Sequence, residues 1–113
     1  METVLLQSEY ELERGKPMPS RNHAFIQSKL VKLLDRKYAD IYDGISELSL
    51  LIDGKEIVPD VLIYKGFEFR PGNDEVKVTE MPLGVVEILS PTQQLADLVA
   101  KSYRYFEAGV KSY

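Results

Sequence analysis

The chain contains no cysteine among its 113 residues, which excludes disulfides and thiolate metal sites and fits a cytoplasmic location. Long hydrophobic runs are also missing. The longest, Val58–Tyr64, is interrupted by Pro59 and Asp60 and falls far short of a bilayer span, so no membrane association is expected. The start, Met1-Glu2-Thr3, is acidic and lacks the apolar core of a secretory signal. Basic charge is in deficit: 14 Lys and Arg stand against 18 Asp and Glu, giving a net charge of −4 and a pI near 5.0. That balance argues against a protein that coats nucleic acid, where a basic footprint supplies most of the affinity. What is present, 44% hydrophobic and 28% charged residues, is the composition of an ordinary globular fold, and the length suits one domain over 1–113.

Hydrophobic periodicity alternates along the chain. Residues 8–14 alternate weakly and meet Gly15, which predicts a short strand and turn. Pro17 and Pro19 delay the next helix, for which Ser20 is the candidate N-cap; Phe25, Ile26, Leu30, Leu33, Leu34 and Tyr38 then recur at helical spacing over 20–38. From 41 to 65 the pattern is that of strands, with Asp53-Gly54 as a tight hairpin turn and Ile57–Tyr64 as the returning strand. Residues 66–82, rich in Gly, Pro and charge, read as a loop, and 83–89 as a buried strand. Ser90-Pro91-Thr92 ends that strand and is the expected cap of a second helix with Leu95, Leu98, Val99, Ser102 and Phe106 facing inward and Gly109 closing it. The sequence stops at Lys111-Ser112-Tyr113, where a return strand would begin, so the domain is expected to lack its C-terminal strand or strands.

Within the predicted strands two carboxylates stand out, Asp60 in Val58-Pro59-Asp60-Val61 and Glu87 in Val86-Glu87-Ile88-Leu89. A buried carboxylate is costly unless it is paired, protonated or bound to a cation. Two that face one cleft are the minimum a divalent metal needs for phosphodiester hydrolysis; the plainer alternative is that each pairs with a nearby Lys or Arg. Lys101 lies four residues after Asp97, with Tyr105 continuing the row. It reads either as half of a surface ion pair or, because its helix follows the Glu87 strand directly, as a cation brought back to the carboxylate end. His23 falls in the first turn of the first helix and is a candidate phosphate contact or proton-transfer group, or simply polar surface. Arg21, Lys29, Lys32, Arg36 and Lys37 populate the same helix, more in keeping with a solvated face than with a DNA contact.

Three stretches together resemble the Uma-type restriction-endonuclease family, a branch of the PD-(D/E)xK nuclease superfamily: Tyr10-Glu11-Leu12-Glu13-Arg14-Gly15-Lys16; Val58-Pro59-Asp60-Val61; and Val86-Glu87-Ile88-Leu89-Ser90-Pro91-Thr92 followed by Asp97, Lys101, Tyr105 and Ala108-Gly109-Val110. Leu89 stands where the superfamily's Lys would be, and the resemblance places that Lys on the following helix, at Lys101. The resemblance implies an α/β restriction-endonuclease-like core, a mixed β-sheet flanked by helices. It implies Asp60 and Glu87 as metal ligands, Lys101 as the displaced catalytic Lys, Glu11 as a further acidic member and His23 as a minor one. Magnesium is the implied cofactor, with manganese as a substitute, and DNA the implied substrate. A homodimer is expected for double-strand cleavage, since two scissile bonds call for two sites. The acidic net charge is compatible with this, because metal ligands are acidic and a local basic patch can still meet phosphates. Two rivals stand beside it: a catalytically silent nuclease-like domain that binds a protein or nucleic acid, and a structural α/β fragment whose carboxylates pair with lysines.

Overall fold

The computed structural model describes residues 18–113. Glu11 and the predicted strand and turn over 8–15 lie outside the described residues.

Strand β4 (Val61–Tyr64) organises the first sheet. Its edges are taken by β1 (Asp43–Ser46) and β6 (Gly84–Val86), both antiparallel, in the order β1-β4-β6. The register pairs Ser46 with Val61 and Val61 with Val86. A second sheet has β2 (Ser49–Ile52) at its centre, antiparallel to β3 (Lys55–Ile57) and parallel to β5 (Lys77–Val78). Asp53-Gly54 forms the predicted turn between β2 and β3. Both residues have positive φ, 51° and 75°, as a two-residue type I′ hairpin requires.

Two continuous strands expected from the sequence are each broken. Between β1 and β2, Glu47 adopts φ 51°, an uncommon left-handed conformation for a residue with a Cβ, and the chain passes from one sheet to the other. Within Ile57–Tyr64 the break falls at Val58-Pro59-Asp60. Pro59 has no N–H to give to a ladder, so β3 ends before it and β4 begins after it. Asp60 therefore sits just before a strand, and Glu87 just after one, rather than inside them. The 66–82 segment is not wholly loop, since β5 lies within it. Near Tyr113 the chain makes an isolated parallel bridge to the sheet, Ser112 with Gly84, and the Val85 N–H donates to the Ser112 carbonyl at 3.0 Å.

Helix α1 (Arg21–Tyr38) starts as predicted, with Ser20 Oγ accepting from the His23 N–H at 3.2 Å. Its buried residues, however, are His23 and Gln27, whereas Phe25 is 62% exposed and Ile26, Leu33 and Tyr38 are also exposed. Helix α2 (Leu95–Ala108) is capped by neither Ser90 nor Thr92. Gln94 is its N-cap, and its N–H donates to the Asp97 carboxylate at 3.1 Å. Its buried face is Leu98 and Tyr105, while Leu95, Val99 and Phe106 are exposed. Gly109 closes α2 in a left-handed conformation, as expected.

The core joins both sheets to α2 through Leu50, Ile52, Ile57, Leu62, Tyr64, Val78, Val85, Tyr105 and Val110. Truncating a fully buried member such as Leu62 removes packing worth about 2–5 kcal/mol. Gly44 lets α1 approach β1: a Cβ there would meet Leu34 Cδ1 at 2.9 Å. Among the described residues no helix is long and apolar enough to cross a membrane.

Candidate active site

The antiparallel register does the first part of the assembly. Since Ser46, Val61 and Val86 are paired across the sheet, the next step along it brings Glu47, Asp60 and Glu87 side by side at the sheet's end. The Glu47 N–H donates to the Asp60 carbonyl at 3.2 Å. Between Asp60 and Glu87 the bonding switches from backbone to side chain. The Asp60 N–H donates to Glu87 Oε1 at 3.2 Å, and the Ile88 N–H donates to Asp60 Oδ2 at 2.8 Å. Each carboxylate is thus held by the other strand's backbone, and each side chain is only 4% exposed.

Helix α2 supplies the next contacts. Lys101 Nζ lies 3.5 Å from Glu87 Oε2, and the Tyr105 hydroxyl donates to the same oxygen at 3.1 Å. These residues are four apart, so one helix face presents a cation and a neutral donor to one carboxylate. Asp97, the alternative partner weighed for Lys101, instead caps the helix start. Burial, and then the Glu87 charge and hydrogen bond, push the Tyr105 phenol well above its ordinary range, so it remains a proton donor to Glu87. Tyr113 stacks on Tyr105 at 5.2 Å and is pushed up to about 12, by burial first and then by Glu87 and Asp60.

Helix α1 closes the other side. His23 Nε2 is 3.1 Å from Asp60 Oδ2, and Gln27 Nε2 donates to Glu47 Oε2 at 3.0 Å. Asp60, Glu87, Lys101 and His23 all line one cleft of about 430 Å³, together with Glu47, Glu56, Gln93 and Arg104. Glu47, Gln27 and Arg104 were not singled out from the sequence. Nothing in a one-dimensional pattern marks Glu47, whose place follows from the sheet register. Tyr105 had a signal in its helical row with Lys101, though the buried hydroxyl did not.

The donor set decides what cation would suit this cleft. Among the described residues no group of three or more His, Cys, Asp or Glu side chains is arranged to hold a metal ion. An all-protein cage of the kind that holds structural zinc or calcium is therefore not built from them. Two neighbouring carboxylates with hard oxygens, opening on a cleft, fit the different habit of magnesium, which keeps several waters and takes one or two carboxylates together with substrate phosphates.

Comparison with known proteins gives two findings. A family model described as "Uma2: Putative restriction endonuclease" matches residues 7–113. Among solved structures, the chain is similar to a putative nuclease belonging to DUF820 from Anabaena variabilis ATCC 29413, with a TM-score of 0.70 and 25% identity. The match covers 84% of this chain and 56% of that protein, so the chain spans little more than half of its length. No curated protein matches the chain.

Proposed function

Since the chain belongs to the Uma2 family and has a restriction-endonuclease-like α/β fold, we propose that it is a magnesium-dependent endonuclease hydrolysing DNA phosphodiester bonds. The observation that carries this reading is the interlocked pair at the ends of β4 and β6. Asp60 and Glu87 are buried side by side, each held by the other strand, with the Lys101 ammonium 3.5 Å from Glu87. Two adjacent buried carboxylates repel each other, and a divalent cation held between them would offset that repulsion.

In this reading Asp60 and Glu87 hold the magnesium ion, for which manganese can substitute. When bound, the ion supplies Lewis-acid activation of water and neutralises charge at the scissile phosphate. Lys101 has three donors and no acceptor. Its part is to orient the attacking water by hydrogen bonding and to stabilise negative charge building on the phosphate. The Tyr105 hydroxyl fixes the Glu87 carboxylate, and Arg104 on the same wall of the cleft meets a neighbouring phosphate of the DNA strand. Double-strand cleavage requires two such sites, so a homodimer is the working assembly, acting in the cytoplasm.

Cleavage of supercoiled plasmid in magnesium tests this directly. Wild type is expected to nick or linearise the plasmid. Asp60→Asn and Glu87→Gln should abolish cleavage, and Lys101→Met should slow it by a factor of about 100 or more. Cleavage that survives all three substitutions would place the chemistry elsewhere. Folded wild type that binds duplex DNA without cutting it would favour a silent binding domain.

A further inference from the structure

The inward face of helix α1 changes character along its length. Leu30, Val31 and Leu34 are half-buried, whereas the two residues buried outright are polar, His23 and Gln27, four apart on that face, and Phe25, Ile26 and Leu33 are exposed. Burying polar groups in place of available apolar ones costs stability unless the polar groups are needed where they are. Both reach carboxylates of the cleft, His23 to Asp60 and Gln27 to Glu47.

We infer that α1 is the positioning element of the site and that His23 is a positioning residue, setting the carboxylate of Asp60 for the cation. The inference rests on the reading of Asp60 as a metal ligand. The terminal torsion of an aspartate is broad and two-fold, so packing alone fixes the carboxylate plane poorly. Here Oδ2 is held by two donors on separate elements, the Ile88 N–H at 2.8 Å and His23 Nε2 at 3.1 Å. An ionised carboxylate only accepts, so the shared proton is on Nε2. The backbone that carries the ring is anchored, since the main-chain N–H of His23 donates to Ser20 Oγ at the start of α1. Its other nitrogen, Nδ1, is buried with no hydrogen-bond partner among the described residues. A buried unsatisfied nitrogen is a standing cost, and an apolar side chain of similar size would avoid it. The imidazole is retained for the bond that Nε2 makes. Partners that orient metal ligands in this way commonly change metal affinity by about 10–100-fold.

Manganese titration calorimetry without DNA, alongside thermal melting, tests the inference on wild type, His23→Gln and His23→Asn. A Gln amide reaches the place of Nε2, whereas an Asn amide reaches only that of Nδ1. His23→Asn is expected to weaken manganese binding by about 10–100-fold, and His23→Gln to bind close to wild type, with no matching order in the melting temperatures. If His23→Asn is too unstable to titrate, His23→Met fills the space without a donor and should show the same weakening. Equal affinity in the donor-less variant and wild type, or equal loss in His23→Gln and the donor-less variant, would overturn the positioning role while leaving the metal site standing. Wild type that binds no manganese, alone or with a duplex, overturns the site reading and this inference together.

Discussion

Asp60 and Glu87 are nearly closed off from solvent, and neither could be so as an isolated charge. Their surroundings supply donors in quantity: two backbone N–H groups, an imidazole and a phenol. Lys101 adds an ammonium 3.5 Å from Glu87 and remains partly exposed. The tyrosines near these and other acids carry a consequence for pH. Tyr113 is pushed up to about 12 by burial, then Glu87 and Asp60. Tyr64 is pushed to about 12 by burial, then Glu80 and Glu75. An unfolded tyrosine titrates near 10. The folded state therefore holds protons that the unfolded chain releases, so this stabilisation is intact below about pH 10 and is lost as pH rises from about 10 to 12. Urea unfolding followed across that range should show a falling midpoint, and Tyr64→Phe should fall less steeply. A midpoint flat from pH 9 to 12 would contradict the assignment.

At the scale of elements, the sequence carried the helices, the hairpin and the two acids, but misplaced the boundaries and faces that build the site. Apolar spacing marked α1 and α2 as helices but turned Leu95, Val99 and Phe106 of α2 inward, where the structure leaves them exposed. The inward sides were decided by His23, Gln27 and Tyr105 meeting carboxylates, an interaction between residues distant in the chain. Pro59 was legible as a strand breaker, yet the apolar run around it hid the break; Glu47 showed no local signal for its positive φ. Gly109 is the clearest case where local chemistry and structure agree. With φ 109° it ends α2, and the Val110 N–H can then donate to the Tyr105 carbonyl at 3.0 Å. Gly109→Ala has to place a Cβ in a conformation that L-residues avoid, at a cost of about 1–2 kcal/mol. Chemical denaturation should show a stability loss of that order, and an unchanged midpoint would mean that the cap contributes nothing.

For the whole molecule, the tension is between an acidic chain and a polyanionic substrate. The net charge of −4 gives no general attraction to DNA, so in the proposed function binding has to come from the cleft itself, lined by Lys101 and Arg104 as well as the acids, and from the cation those acids would hold. Charge balance at the site then governs both cation and DNA binding in the proposed function. It is tested most directly by titrating magnesium and manganese into folded wild type and Asp60→Ala by calorimetry, each alone and with a short DNA duplex. Saturable binding is expected in wild type, with or without the duplex, and its loss in Asp60→Ala. Absence of binding by wild type under both conditions, or equal binding by Asp60→Ala, would contradict it.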